Sequence, residues 1–295
     1  MMKSKKISRE ITGLVITTTI TALFCFTGLQ IQAQEETDNG KEKAENTDLT
    51  VEEIVHKSNH AAYYFGDDGR ARVKMDIVDG KGRERSRELT ILRKDMMPED
   101  QEDEEFIGDQ RFYVYFHRPS DVRETVFMVW KHVGDSDDRW LYLPSMDLVN
   151  RISSSDKRTS FVGSHFFYED VSGRGIEEDK QELTETTDNY YVLKNTPKDP
   201  SNVEFEYYKM WIHKDTFLPI KTEYYDDDDE KYRSYEVLEV ETIDGYPTVV
   251  KSRMNNLQSG GKTTMTYENV EYNIGLPDDL FSERYLRRSP RKYLR

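Results

Sequence analysis

The residues of this chain that could do chemistry are scattered rather than convergent. Its six histidines are His56, His60, His117, His132, His165 and His213. His56 and His60 stand at i, i+4, a spacing that puts two imidazoles on one helical face and suits a metal ion. No HExxH pattern surrounds them, and no carboxylate stands at a ligand spacing beside them, so a solvated helix face is the preferred reading. Gly163-Ser164-His165 lacks the G-x-S-x-G frame of a nucleophile elbow. Glu169 and Asp170 are adjacent, and adjacent residues of a strand point to opposite faces, so they cannot flank one bond. The acidic runs Glu99 to Glu105 and Asp226 to Glu230 lack the spacing of a calcium loop and fall where turns are expected. The expectation is no catalytic residue, no metal and no cofactor.

What the chain spends instead is aromatic surface, with 19 Tyr, 13 Phe and 3 Trp. That is enough to line a cavity as well as fill a core. Trp140 and Tyr142 alternate on one short strand, and Phe205, Tyr207 and Trp211 share a face on another. With Trp130, Phe166 and Tyr168 they are the candidates for the wall of an apolar cavity, where rigid rings hold surface that need not collapse. For each residue taken singly, an ordinary β core is the competing reading. Arg123 and Arg151 are the head-group candidates, because a guanidinium at a cavity mouth can hold a phosphate or carboxylate bidentately. Their alternative is a structural ion pair.

The elements that must position these residues are mostly strands. Thr50-Val51-Glu52-Glu53 is a capping-box pattern that starts a helix running to about Tyr63, with Val51, Ile54, Val55 and Ser58 on one face. From Ala71 onward, alternating runs recur about every ten residues with turn signals between them. Trp140 to Leu143, Leu148 to Ile152 and Phe161 to Tyr168 read as three short strands. Glu182 to Asn195 and Val203 to His213 read as two more, followed by hairpins across the Asp run and across Ser259-Gly260-Gly261. Pro277 to Arg288 closes the chain with a short helix whose Leu280, Phe281 and Tyr285 could face the sheet. One early helix and about ten or eleven antiparallel strands suit a strongly curved sheet wrapped around that helix.

Three blocks carry a family likeness: DVRETVFMVW (Asp121 to Trp130), DRWLYLPSMDLVNRIS (Asp138 to Ser153) and FVGSHFFYEDVSG (Phe161 to Gly173). Their content and order resemble the LolA-like outer-membrane lipoprotein-sorting proteins, in the branch found beside RND-type exporters. The likeness runs from about Leu49 to the C-terminus. It implies a mainly β, half-open barrel around an N-terminal helix. It also implies a non-enzymatic carrier that binds a lipid or a lipoprotein's acyl chains, with an inner-membrane RND-type exporter as partner. The alternative is a packed interaction module that docks such an exporter, or an envelope protein, through its acidic loops.

Composition sets the remaining bounds. Lys3, Lys5, Lys6 and Arg9 precede an apolar run, Ile11 to Phe26, and Ile31-Gln32-Ala33 offers a cleavage site, so residues 1–33 read as an export signal. An uncleaved anchor is the alternative; lipidation at Cys25 is disfavoured by Phe24 before it. Residues 34–48 read as a disordered linker and 49–295 as one domain. Cys25 is the only cysteine, so the mature domain has no disulfide framework. The formal net charge of −15 argues against nucleic acid. A periplasmic monomer of a Gram-negative bacterium is expected.

Overall fold

The computed structural model describes residues 49–97 and 107–295. The signal, the linker and the acidic run after Pro98 lie outside these residues. Helix α1 spans Val51–Tyr63. Its capping box forms as its sequence requires: the Glu53 amide donates to Thr50 Oγ1 at 3.2 Å, and the Thr50 amide to Glu53 Oε2 at 2.7 Å. The strands are β1 (Asp68–Val78), β2 (Glu84–Asp95), β3 (Gln110–Arg118), β4 (Val126–Lys131), β5 (Asp138–Leu143), β6 (Leu148–Ile152), β7 (Asp179–Thr186), β8 (Tyr190–Pro197), β9 (Tyr207–His213), β10 (Pro219–Tyr225), β11 (Lys231–Ile243), β12 (Tyr246–Asn256) and β13 (Gly261–Tyr272).

All thirteen join one curved antiparallel sheet in the order β6-β5-β4-β3-β2-β1-β13-β12-β11-β10-β9-β8-β7. The first strand is therefore central. It pairs with the last, Met75 opposite Met265. The chain winds outward to β6, crosses to the far edge at β7, and winds back inward. The sheet is not closed, because β6 and β7 are its two edges. Bulges between Arg70 and Arg72 on β1, and around Glu239 on β11, supply irregular register where a long sheet must bend.

Three expected strands turn out otherwise, the first being Val203 to His213, of which only Tyr207–His213 is strand. Glu182 to Asn195 is a hairpin, β7 and β8, whose turn includes Asp188 and Asn189 and whose arms pair Leu183 with Leu193. Phe161 to Tyr168 is not a strand but part of the crossover from β6 to β7. Val162 and Gly163 both have positive φ, 45° and 75°. An extended chain cannot pass through two left-handed residues. The segment folds back on itself instead, with the Phe161 amide donating to the Phe166 carbonyl at 2.8 Å.

Both faces of the first half-sheet are buried. On the concave side Val73, Leu89, Val114 and Phe127 pack with Phe161, Phe166 and Tyr168 of the crossover. On the other side Leu92, Tyr113, Met128 and Trp140 pack under Leu280, Phe281, Leu286 and Leu294. The C-terminal segment, with a helical turn α2 at Arg284–Arg287, thus roofs the convex face. Helix α1 lies on the concave side against β8 and β9, where Ile54 meets Leu193 and Ile212.

Candidate functional site

Between α1, the crossover and the concave wall lies a chamber of ≈ 400 Å³. That lies within the range of about 300–1,000 Å³ typical of small-molecule sites. The helix contributes Val55, Ser58, Asn59, Ala62 and Tyr63; the sheet contributes Met210, Ile212, Met254 and Met265 among others. Helical spacing explains the first set, since residues 55, 59 and 62–63 recur on one face. Tyr224, Tyr235 and Tyr267 also turn their rings inward from β10, β11 and β13. Each is only half-buried, and the surface it exposes is chamber wall.

The crossover forms the third wall and is held there by charge. Glu169 is 2% exposed. It is ion-paired with Lys157 Nζ at 2.8 Å, accepts from Arg158, and has Arg174 Nη1 at 3.5 Å. Burial by itself would raise its carboxyl, but Arg158, Lys157 and Arg174 outweigh that and hold it down to about 2. Arg158 also grips Glu204 with two nitrogens, at 2.7 and 2.8 Å. Arg174 pairs with Asp179, which in turn accepts from the Tyr208 hydroxyl at 2.7 Å. Asp170 diverges from Glu169 and pairs with the buried Arg233, whose guanidinium lies 3.9 Å from the Phe167 ring centre. These contacts tie the crossover to β7, to the segment just before β9 and to β11. They leave Glu169 and Asp170 as fasteners rather than as a facing acid and base.

Gly173 sets how closely the crossover meets α1. Its φ is 76°, and a Cβ there would fall 2.5 Å from Tyr63 Cζ. A side chain would meet both backbone strain and the ring. Beside it Lys131, buried on β4, donates to the Ser172 carbonyl at 2.8 Å and sits 5.0 Å from the Tyr63 ring centre. Burial lowers its pKa.

Of the eight aromatics expected at the cavity, only Phe166 is on the chamber wall. Trp130, Trp140 and Tyr142 share strand parity with Val126 and Met128, which places them under the C-terminal roof on the convex side. Trp130 Nε1 donates to the Phe281 carbonyl at 2.7 Å, and its ring meets Trp140 edge-on at 5.0 Å. Tyr168 is sealed against Phe127 and Phe161. Phe205 precedes β9 and is buried beneath Arg158, 4.9 Å from its ring centre. Tyr207 and Trp211 alternate with the inward Tyr208, Met210 and Ile212 and so point outward. Tyr207 stacks on Tyr225 at 4.8 Å, and Lys221 lies 4.1 Å from the Trp211 ring centre.

The two arginines are likewise away from the chamber. Arg151 is paired with Asp138 on the exposed edge, and Arg123 is exposed on the β3–β4 turn. His56 is exposed, while His60 lies edge-on to Phe65 at 5.6 Å. Among the described residues no group of three or more His, Cys, Asp or Glu is placed to hold a metal.

The residues that sequence reasoning passed over are Ser58, Asn59, Tyr63, Tyr224, Tyr235 and Tyr267. A signal for the first three existed: the helix face that carries Val55 also carries them, so it is apolar at one end and polar along its length.

Similarity to known proteins follows the same architecture. A family model described as an uncharacterized protein, the DUF1329-like family, matches residues 108–288. A DUF1329 family protein from Desulfovibrio piger superposes with a TM-score of 0.70 at 29% identity, covering 79% of this chain and 96% of that one. A domain from Vibrio parahaemolyticus, named for outer membrane lipoprotein sorting, also gives 0.70, at 26% identity over 80% of this chain and 97% of its own. The LolA superfamily protein NE2245 from Nitrosomonas europaea gives 0.60 at 19% identity, over 80% and 99%. That last likeness speaks to fold alone: the curved sheet around a helix is the LolA-like fold. No curated protein sequence matches this one.

Proposed function

This chain belongs to the DUF1329-like family, and from that premise we propose that it is a non-enzymatic carrier that shelters an acyl-bearing ligand in the chamber beneath α1. The single observation that carries the reading is the unfilled volume. The crossover packs tightly on Val73, Leu89, Val114 and Phe127 at one end of the concave face, whereas from Ala71, Ile91 and Phe112 across to β8 the wall keeps ≈ 400 Å³ open between rings, methionines and helix. A protein that needed only a core would close that space, because interiors otherwise pack as densely as organic crystals. The lining suits hydrocarbon. Each CH₂ brought in from water contributes about 0.8 kcal/mol, so a chain of moderate length binds without any covalent step.

The name of the Vibrio parahaemolyticus relative supports a more particular version, in which the cargo is a lipid or the acyl anchor of a lipoprotein. In that version the protein works as a monomer in the periplasm, after export through its N-terminal signal. It then exchanges cargo with an inner-membrane partner, an RND-type exporter, because a passive carrier alone only relaxes gradients. The second reading is a docking module that meets such a partner through its acidic turns. Asp227 to Glu230 supports it, standing exposed between β10 and β11. Native mass spectrometry of residues 34–295 purified from its own source separates the two. A co-purifying mass that dissociates as a lipid or acylated peptide is the expected result. A clean apo mass, with no uptake of acyl probes, would replace the carrier by the docking module.

A further inference from the structure

The chamber wall carries polar groups that the protein itself does not use. Ser58 and Asn59 are 4% and 9% exposed and line the chamber from α1. Tyr63 and Tyr224 line the same space from the helix and from β10. Among the described residues, none of these four side chains has a hydrogen-bond partner. Burial keeps both phenols protonated, pushing Tyr224 up to about 12 and Tyr63 higher. Asn59 and Tyr63 stand one turn apart on α1, and Tyr224 lines the same chamber from β10.

Charges on the same wall are already committed. Arg93 donates to the Tyr63 and Phe65 carbonyls at 2.6 and 2.8 Å, to the Gly66 carbonyl, and to Asp95 at 2.8 Å. Arg158 is taken by Glu169 and Glu204, and Arg174 by Asp179 and Glu178. Asp170 and Glu169 are equally engaged. An anion brought inside would lose its water, and among the described residues every cation lining the chamber already has a carboxylate partner, while Lys131, behind Tyr63, lies off the wall and donates to the Ser172 carbonyl. A bare hydrocarbon filling the chamber would leave the buried Ser58 and Asn59 and the wall-facing Tyr63 and Tyr224 without polar partners, which is also unfavourable.

We propose that the chamber selects an uncharged, oxygen-bearing amphiphile, a hydrocarbon chain with an ester, amide or hydroxyl group, and holds that neutral group inside on Ser58, Asn59, Tyr63 and Tyr224. The inference rests on the carrier reading and narrows it: the ester oxygens of an acyl anchor qualify, and a free fatty-acid carboxylate or a buried phosphate does not. The choice comes from the sum of neutral donors and acceptors left open on a wall whose charged side chains are paired with one another.

The test is a pair of ligands with one chain and two heads. Monodecanoylglycerol and decanoate are titrated calorimetrically into the protein at pH 8, below micelle-forming concentrations. The neutral ester should bind at least about tenfold more tightly. The Tyr63→Phe/Tyr224→Phe double variant should narrow that ratio by weakening the ester and leaving decanoate unchanged. Equal affinity of the two ligands for the unaltered protein would overturn the inference and leave the carrier reading standing. Tighter binding of decanoate would do the same. Failure of both ligands to bind would remove both, and the comparison on the unaltered protein is decisive even if the double variant does not fold.

Discussion

Glu169 shows how a single residue fixes the chamber. It is a nearly inaccessible carboxylate with three cations around it, and desolvation is outweighed only because those cations stay in place. Replacing it by Gln leaves Lys157, Arg158 and Arg174 without their shared anion. Removing one member of a buried ionic cluster costs about 3 kcal/mol, and Glu169→Gln is expected to lower stability by that amount in urea unfolding. The pH dependence follows from the direction of the shift. The folded carboxyl titrates at about 2 and the ordinary value is 4.5. Its contribution is therefore complete above the ordinary value and fades as pH falls from 4.5 toward 2. The native protein should lose about 3 kcal/mol across that window beyond what the Gln variant loses. Parallel stability profiles for the two proteins would show that Glu169 is not the fastener.

At the scale of elements, the decisive fact is that the first half-sheet has two buried faces. Residues Val126 to Trp130 are apolar on both parities, as strands covered on two sides are. Alternation in the sequence correctly groups Trp140 with Tyr142, and Tyr207 with Trp211, but it carries no mark of which group faces inward. That choice belongs to long-range partners: the C-terminal roof takes Trp130 and Trp140, and α1 takes Ile212. The helix was legible because its cap and its spacing are local. The crossover was not, because FVGSHFFY has the composition of a strand, and only the left-handed pair Val162–Gly163 breaks it. The roof can be tested apart from the chamber. Phe281 is 2% exposed and packs in the convex-face cluster. Phe281→Ala should cost about 3–5 kcal/mol. Ligand uptake measured below the unfolding transition should stay unchanged, since the chamber lies on the opposite face. A selective loss of uptake at full native signal would mean that the two faces are coupled.

For the whole molecule, the topology itself creates the space. A thirteen-stranded sheet that starts and ends in its own middle leaves β6 and β7 as free edges, and the one segment joining them must travel across the open side. That segment is long enough to plug one end of the curve with Phe161 and Phe166 and to bring Glu169 and Arg174 over to the second half-sheet. What it does not reach, α1 covers at a distance, and the chamber is the remainder. This makes a prediction that separates a carrier from a filled core. Ala62 lies on the α1 face that lines the chamber and is only half-buried. In a well-packed interior a large residue there would force side chains off their rotamers at about 1–3 kcal/mol. In an open chamber the indole has room, and filling such space is neutral or mildly stabilising, by up to about 1 kcal/mol. Ala62→Trp should therefore unfold at or above the native midpoint while losing its uptake of acyl ligands. A variant that is destabilised, or one that still binds, would show that the space under α1 is not where cargo sits.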